Sequence, residues 1–505
     1  MNHLDVLIIG AGLSGIGAAS HLERDQPGTS YAVIERRDAI GGTWDLFRYP
    51  GVRSDSDMHT LGYRLRPWDD EQVLADGPSI KAYVEETAAE FGVVGKIRFG
   101  HRAVRYAWDS HQQVWTVDLE TDEGHQQLTC GFLWNCTGYY DYDHPYAADL
   151  PGLESFGGRV VHPQSWPDDL DYAGKRVVVI GSGATAVTLL PAMADLAANV
   201  TMLQRTPSYV VSVPQRDSAA ARLGRVLPRS VAASVVRWRN ILVQWGLFQL
   251  ARRRPAFVRT AIRGATRRAL PEGYEVDTHF NPPYDPWDQR MCIVPDGDLF
   301  RAIRRGSASV VTGRIETFTP EGIRLTDGTE VAADIVVTAT GLSLLAFGGA
   351  EILVDGELVD LGSRIAYRGV MLDGVPNFAY VVGYANASWT LKADLVSAYV
   401  VGLLRHMARH RFQVVVPELD SDVGSAPLID LTSGYVQRAL DTFPKQGDRG
   451  PWKAPHNYLR DAVMLRFRPR AERALRFHPQ GWNDQPAGLP TLEPNLLKGG
   501  HHGYR

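Results

Sequence analysis

The chain has 505 residues, more than a single hydrophobic core usually supports, so we expect two or more domains. With 44% hydrophobic residues and a formal net charge of -4, the composition is that of a globular protein with no overall attraction to nucleic acid. The 3 cysteines include no C-x-x-C pair, which argues against a dithiol redox centre or a zinc site and favours a reducing compartment.

The start of the chain lacks the cationic segment, apolar core and cleavage site of a signal peptide. No run of apolar residues approaches the ~18 that a membrane span requires. On both grounds we expect a cytoplasmic protein.

The first predicted element is a buried strand over residues 5–9, which leads into a glycine-rich turn and then a helix. In this G-x-G-x-x-G pattern, Gly10 forms the tight turn, Gly12 admits a pyrophosphate and Gly15 lets the helix pack on the strand. The next predicted strand ends in Glu35, 20 residues after Gly15, which is the usual spacing of an acid that bonds ribose hydroxyls. The alternative is a glycine-rich turn followed by a surface glutamate. Because a carboxylate repels a 2′-phosphate, the pattern predicts FAD or NAD here.

A second glycine-rich turn follows a predicted strand at residues 176–180 and has alanine at its third position. The strand after this turn ends in Arg205 and Thr206 instead of an acid. A guanidinium and a hydroxyl suit a 2′-phosphate, so NADPH is favoured over the alternative that Arg205 is a solvated surface charge. The candidate NADPH-binding residues are Gly181, Gly183, Ala184, Thr185, Arg205 and Thr206.

Two dinucleotide sites in one chain indicate a flavin that takes hydride from NADPH. Apolar stretches at residues 132–138 and 334–341 each end in a glycine and predict the two crossings between domains. We therefore predict an α/β fold with two Rossmann-like dinucleotide-binding domains, the NADPH domain being inserted into the FAD domain. The predicted boundaries are 1–145 and 340–440 for the FAD domain, 146–339 for the NADPH domain, 214–280 for a basic helical insertion within it, and 441–505 for a C-terminal extension.

The basic insertion is unusual in its charge. Residues 216–268 contain 13 arginines, no lysine and one acid, Asp217, which gives a local charge of +12. Apolar side chains recur in this segment at helical spacing, namely Trp238, Ile241, Leu242, Trp245 and Phe248. Such a helix either makes a peripheral contact with a membrane or packs its apolar stripe on the enzyme with the arginines in solvent. We favour packing, because most such stripes face a core.

The last part of the chain is rich in proline and arginine, and few regular elements are predicted after Asp441. His501 and His502 could bind a metal, but the glycines around them favour a disordered tail. We therefore predict no metal site.

Residues 156–167 match F-x-G-x-x-x-H-x-x-x-W-P at every defined position. Taken alone, His162 and Trp166 would be packing residues between domains. The motif is the signature of the Baeyer–Villiger flavin monooxygenases, and the chain resembles that family. Further segments similar to the family are residues 41–44, 48–57, 281–290 and 386–394.

The resemblance implies an enzyme that contains FAD, consumes NADPH and inserts one oxygen atom from O₂ into a small apolar ketone or sulfur compound. Ketones would become esters or lactones through a C4a-peroxide of the flavin, and sulfides or thioamides would be oxidised as well. The resemblance also implies that Arg290 supplies a positive charge beside the flavin and that Asp55 pairs with it. Without the family, the two would be a surface ion pair. The candidate FAD-binding residues are Gly10, Gly12, Gly15, Glu35, Gly42, Thr43, Trp44 and Asp55.

One position departs from the family pattern. Many members carry lysine immediately before the active-site arginine, where it helps to hold the 2′-phosphate, and this chain has Gln289. We therefore expect Arg205 to carry more of that task and selectivity for NADPH to be weaker.

Three other functions are weighed against this one. The nearest is an S- or N-oxygenating flavin monooxygenase without ketone activity. A two-dinucleotide disulfide reductase needs paired cysteines, and a flavin-binding sensor predicts NADPH oxidation that no substrate accelerates. For the substrate itself, Tyr284, Trp287 and Trp389 suggest an apolar pocket, although they could equally belong to the core.

Overall fold

The computed structural model describes residues 3–419, 423–429, 431–466 and 473–480 and confirms the predicted α/β class. His501 and His502, and with them the predicted tail, lie outside the described residues. The strands are β1 His3–Ile9, β2 Tyr31–Ile34, β3 Ile97–Arg98, β4 Arg102–Asp109, β5 Val114–Thr121, β6 Gly124–Asn135, β7 Arg159–Val161, β8 Arg176–Ile180, β9 Asn199–Gln204, β10 Val210–Val213, β11 Cys292–Pro295, β12 Ala308–Thr312, β13 Ile315–Thr319, β14 Gly322–Leu325, β15 Glu330–Ala332, β16 Ile335–Thr338, β17 Glu351–Val354, β18 Glu357–Leu358, β19 Ile365–Tyr367, β20 Met371–Leu372, β21 Phe378–Tyr380, β22 Phe412–Pro417, β23 Ser425–Pro427, β24 Lys445–Gly447 and β25 Leu475–Pro479. The helices are α1 Leu13–Asp25, α2 Thr43–Leu46, α3 Met58–Leu61, α4 Gly77–Glu90, α5 Ala184–Met193, α6 Ser218–Val226, α7 Arg229–Arg253, α8 Pro255–Ala269, α9 Val276–His279, α10 Asp298–Arg304, α11 Trp389–His410, α12 Gly434–Gln437 and α13 Tyr458–Arg466.

The first sheet has a parallel core in the order β3-β2-β1-β6, and β6 also pairs with β21. Strand β6 is long enough to continue into an antiparallel meander with β5 and β4, which β17 and β18 extend. All four residues of β2 and the last four of β1 are buried, as expected of a parallel strand covered on both faces. On one face, α1 packs against α11 and is buried from Leu13 to Leu22.

The second sheet is parallel throughout and has the order β12-β9-β8-β16-β7. Its strands fall in the chain between β6 and β17 of the first sheet, so one Rossmann-like domain is inserted into the other, as predicted. The two glycine turns follow β1 and β8, at the carboxyl edges where α/β sheets bind their ligands. The residue numbers given for the domain boundaries stay predictions.

The helical insertion consists of α6 to α9 and lies between β10 and β11. The preference for a packed apolar stripe is wrong for most of α7. Ile241 is buried and Phe248 is half-buried, but Trp238, Leu242 and Trp245 are exposed. The opposite face of α7 is held to the enzyme by polar contacts, which leaves Trp238, Leu242 and Trp245 on the side turned away from the core.

The segment after Asp441 contains more regular structure than the sequence predicts. It contributes β24, α13 and β25, and β25 pairs with β22. Trp452 and Leu465 are buried in the same core as α1. These short elements are fixed by contacts with distant residues, which a local pattern does not reveal. Within the described ranges, no helix is both long and apolar enough to cross a membrane.

Candidate active site between the two glycine turns

A cavity of about 1170 Å³ extends from the first glycine turn to the second and is lined by residues of both sheets. Every predicted site residue lines it except Gly15, which lies behind the first turn. Of the three aromatic residues suggested for an apolar pocket, Trp389 lines the cavity. Tyr284 and Trp287 pack elsewhere, against Tyr209 and Phe248 respectively.

The first turn leaves a helix end open to the cavity. A Cβ on Gly15 would lie 1.7 Å from the carbonyl oxygen of Gly10, so only glycine lets α1 approach β1 this closely. Helix α1 begins after Gly12, which provides no side-chain cap, and its first turn contains no acid. Free backbone N–H groups at the positive end of a helix fit a pyrophosphate.

Glu35 has a structural task in addition to the one predicted for it. Its carboxylate is buried at the end of β2, where Oε2 accepts a hydrogen bond from the backbone N–H of Ala11 at 2.8 Å and Oε1 accepts one from the N–H of Arg37 at 2.9 Å. Burial raises the pKa of Glu35, and these two bonds oppose the shift. Glu35 thus braces the glycine turn, and its remaining lone pairs fit ribose hydroxyls in the cavity.

The segment after Gly41 forms the wall between the two turns. Gly42 precedes α2, and the hydroxyl of Thr43 lies 3.2 Å from the hydroxyl of Tyr142. Trp44 is half-buried and lines the cavity. These residues are placed to contact a group bound along the first turn.

The second turn repeats the arrangement of the first. Helix α5 begins after Gly183 with no side-chain cap and no acid in its first turn, so its N–H groups also fit a pyrophosphate. The hydroxyl of Ser182 donates a 2.8 Å hydrogen bond to the backbone oxygen of Thr206 and so holds the end of β9 against the turn.

A second guanidinium, which the sequence did not suggest, accompanies Arg205. Gln204 of β9 pairs with Thr312 of β12, so Arg205 and Arg314 leave adjacent strands at the same edge, and both line the cavity. No carboxylate in the described part of the chain forms an ion pair with either arginine. Two free guanidiniums at one edge fit a phosphate group.

Arg290 and Asp55 form an ion pair on the cavity wall. Nη2 of Arg290 donates to Oδ1 of Asp55 at 2.7 Å, across 235 positions of sequence. The charge of Asp55 raises the pKa of Arg290 by more than burial lowers it, and nearby tyrosines add to the rise. Arg290 is therefore held as a cation facing the cavity.

Three tyrosines surround this cation. Tyr139, Tyr140 and Tyr435 all line the cavity, and burial raises the pKa of Tyr140 and of Tyr435, so both of these hydroxyls stay protonated. The ring of Tyr139 lies edge-on to Tyr140 at 4.7 Å and to Trp389 at 5.0 Å. Sequence reasoning missed all three. Tyr139 and Tyr140 follow the carboxyl end of β6, which is a signal for a binding position, whereas Tyr435 carries no such signal.

The loop that carries Asp55 is fastened to the other domain. Nη1 of Arg53 donates to Oδ2 of Asp298 at 2.5 Å, and both side chains are largely buried. Asp298 is the first residue of α10, which packs on α5 behind the second glycine turn. The position of Asp55 thus depends on both domains.

The motif residue His162 also lies at the domain junction. Its Nδ1 accepts a hydrogen bond from the backbone N–H of Gln164 at 3.1 Å, and burial lowers its pKa, so the imidazole is neutral. The side chain of Gln164 donates to the backbone oxygen of Asp141 at 2.8 Å. The motif thus joins β7 of the second sheet to the segment that follows β6 of the first.

Two Rossmann-like domains that share one cavity define an oxidoreductase fold for two dinucleotides. The flavin-binding monooxygenase-like family model matches residues 4–238. The FAD-containing monooxygenase EthA of Mycobacterium tuberculosis is 53% identical over 477 residues, which are 94% of this chain and 98% of that relative. Among solved structures, an oxidized steroid monooxygenase bound to NADP has a TM-score of 0.75 at 20% identity, covering 95% of this chain and 100% of its own. An ε-caprolactone-bound cyclohexanone monooxygenase has a TM-score of 0.73 at 21% identity, and the match covers 94% of this chain and 100% of that structure's chain.

The chain belongs to the flavin-binding monooxygenase family. The resemblance to flavin monooxygenases found in its motifs is thereby confirmed, and so is the prediction that it is a flavin monooxygenase.

Proposed function

We propose that this protein is an FAD-dependent, NADPH-consuming Baeyer–Villiger monooxygenase that converts ketones to esters or lactones and also oxidises sulfides or thioamides. The observation that carries the proposal is the ion pair of Arg290 and Asp55 on the wall of a cavity shared by both glycine turns.

The two turns divide the cofactors between them. FAD is assigned to the first turn, where Glu35 excludes a 2′-phosphate and α1 offers its free N–H groups. NADPH is assigned to the second turn, where Arg205 and Arg314 are free to bind its 2′-phosphate. The names of the compared proteins, FAD-containing in one case and bound to NADP in another, support this pair of cofactors.

When bound, FAD reduced by NADPH supplies, after reaction with O₂, the oxygen atom that enters the substrate. Arg290 faces the space where the substrate would lie, and its fixed charge stabilises the negative charge that develops on a ketone oxygen. Asp55 orients the guanidinium and keeps it from turning away.

A small apolar substrate fits the surroundings of this ion pair. The ring of Tyr139 packs on those of Tyr140 and Trp389, and together the three give the cavity wall near Arg290 an apolar surface. The protonated hydroxyl of Tyr435 offers a hydrogen-bond donor on the same wall.

The test compares a cyclic ketone, a long-chain ketone and a thioether under labelled O₂, with NADPH consumption and product mass as the measurements. We expect at least one ketone to accelerate NADPH consumption and to give an ester or lactone that carries one labelled oxygen. Oxidation of the thioether alone would favour the S- or N-oxygenating alternative. Purified protein that stays colourless when offered FAD would contradict both.

A further inference from the structure

Helix α7 carries an apolar stripe that the other described parts of the chain leave largely exposed. The stripe follows the helical repeat along one side, and its members are all between 40% and 50% exposed: Val231, Val235, Trp238, Leu242 and Trp245. Towards the end of the helix the exposed apolar surface becomes wider, because Val243, Leu247 and Leu250 are exposed as well. Phe257, at the start of α8, is 64% exposed and extends this surface. We call this surface, from Val231 to Phe257, the α7 outer face.

The opposite face of α7 is fixed to the enzyme, so the exposure of the outer face does not result from a loosely attached helix. Arg237 donates to the backbone oxygen of Gly62 at 2.6 Å and to Oδ2 of Asp394 at 3.0 Å. Asn240 donates to Asp57 at 2.9 Å. The helix is 25 residues long and is anchored from its first half to its end, where Arg252 pairs with Asp288.

The unpaired charges within residues 216–268 are all positive. The arginines that hold α7 in place are paired, but five exposed ones on α6, at the end of α7 and on α8 form no ion pair with any carboxylate of the described ranges: Arg222, Arg225, Arg253, Arg254 and Arg268. The one acid of this segment, Asp217, is occupied by Arg239. An exposed apolar surface of this extent marks a site of interaction, and the free arginines favour a partner that is negatively charged.

We propose that the α7 outer face docks on the surface of an anionic lipid bilayer. Aliphatic side chains and tryptophans between arginines are the composition of a helix that lies in the plane of a membrane interface. A symmetric dimer through the same face is disfavoured, because it would bring the free arginines of the two copies together. A bilayer with acidic headgroups neutralises them and buries the apolar side chains at the same time.

Docking in this way would place the candidate active site near the lipid. The ring of Phe248, on α7, lies 5.6 Å from that of Trp287, and Arg252 pairs with the next residue, Asp288. Gln289 and Arg290 follow directly and line the cavity. The inference does not rest on the proposed function, since vesicle binding is measured without turnover.

The test is co-sedimentation of the FAD-loaded, full-length protein with vesicles of phosphatidylcholine alone or with about a third of phosphatidylglycerol. We expect binding to the anionic vesicles that weakens at high salt. Replacing two free arginines, by Arg253→Gln with Arg254→Gln, should lower the affinity about ten- to thirty-fold. Replacing two exposed leucines, by Leu242→Gln with Leu247→Gln, should lower it by about an order of magnitude.

Matched controls use surface residues outside the segment. Leu358→Gln removes a leucine that is 66% exposed on β18, and Arg405→Gln with Arg409→Gln removes two exposed arginines of α11. Both should bind vesicles as the wild type does. Wild-type protein that stays in the supernatant with anionic vesicles overturns the proposal, as does unchanged binding by both α7 variants. If light scattering showed that the wild type is a dimer and that the variant Leu242→Gln with Leu247→Gln is a monomer, the face would instead be a contact with a second copy of the chain.

Discussion

In the proposed reaction, the guanidinium of Arg290 is the positive charge that meets a developing negative charge on the substrate. Its pKa is raised chiefly by Asp55, so it stays charged at any pH at which the enzyme is folded, and its orientation is set by a 2.7 Å hydrogen bond. Removing a donor that stabilises an oxyanion lowers turnover about 100- to 1000-fold.

We therefore expect Arg290→Ala to retain FAD and to lose ketone oxygenation by about this factor. Flavin absorbance and ester formation are the measurements. Arg290→Lys is the matched variant: it keeps the charge but loses the planar fork that Asp55 holds, so an intermediate rate is expected. Ester formation at the wild-type rate by Arg290→Ala would remove this residue from the reaction.

Selectivity for NADPH should depend on Arg205 and Arg314 together. Both line the cavity at the edge formed by β9 and β12, and a hydrogen bond to a charged group contributes about 1.5–3 kcal/mol. Arg205→Gln and Arg314→Gln should each raise the KM for NADPH about ten- to hundred-fold and leave that for NADH nearly unchanged. Gln289→Lys should lower the KM for NADPH, because it adds a cation to the same cavity.

Steady-state oxidation of NADPH and NADH under saturating substrate measures these effects. Arg36→Gln serves as the control, since Arg36 lines the same cavity near the first turn and pairs with Asp143. An equal rise in KM for both nucleotides would show that the two arginines do not contact the 2′-phosphate.

At the level of elements, the sequence predicts what is local and misses what depends on distant contacts. The strand, glycine turn and helix at each end of the cavity can be predicted from short patterns. Gly15 and Gly183 are each required by the geometry of a single turn, so the neighbouring residues are enough to predict it. The exposure of α7 could not be predicted, since an apolar stripe indicates a buried face only if something covers it. Tyr435 and Arg314 reach the cavity from separate parts of the chain, and neither lies in a recognisable motif.

Helices α1, α7 and α11 meet at a buried carboxylate, Asp394. Its carboxylate accepts a hydrogen bond from the backbone N–H of Arg64 at 2.8 Å. It also pairs with Arg237 at 3.0 Å and with His21 at 3.3 Å. Burial alone would raise the pKa of Asp394, but the bond from His21 and the charge of Arg237 bring it below its usual value. A lowered pKa stabilises the folded state fully above the unfolded value of about 3.9, and this stability is lost as the pH falls through the folded value.

Asp394→Asn should therefore lower the free energy of unfolding at neutral pH by about 3 kcal/mol, because it leaves the Arg237 guanidinium without its anion. The difference from the wild type should shrink in acid below a pH of about 4. Thermal midpoints across this pH range are the measurement. Asp195→Asn, at a carboxylate that is 71% exposed, should change little. A difference that stays constant with pH would contradict the role of the Asp394 charge.

At the scale of the whole molecule, one domain is inserted into the other, and the candidate active site is formed where the two domains meet. Arg290 lies on the segment before β11, and its partner Asp55 lies on a loop that follows the first turn. That loop is tied to the second domain by Arg53 and Asp298, which are 245 positions apart in the sequence. Sequence motifs indicate both loops, but the ion pair of Arg53 and Asp298, which clamps the Asp55 loop to α10, follows only from the packing of α10.

The clamp is expected to set the rate without holding either cofactor. Arg53→Gln and Asp298→Asn should each retain FAD and lower substrate-dependent NADPH consumption about ten-fold, because a shift of about 1 Å at Asp55 turns Arg290 out of position. The exchanged pair, Arg53→Asp with Asp298→Arg, restores an ion pair between the domains and should recover most of the rate. Arg176→Gln breaks an exposed pair within the second domain and should have no such effect. If the exchanged pair were as slow as the single variants, the rate would depend on the individual side chains and not on the link between domains.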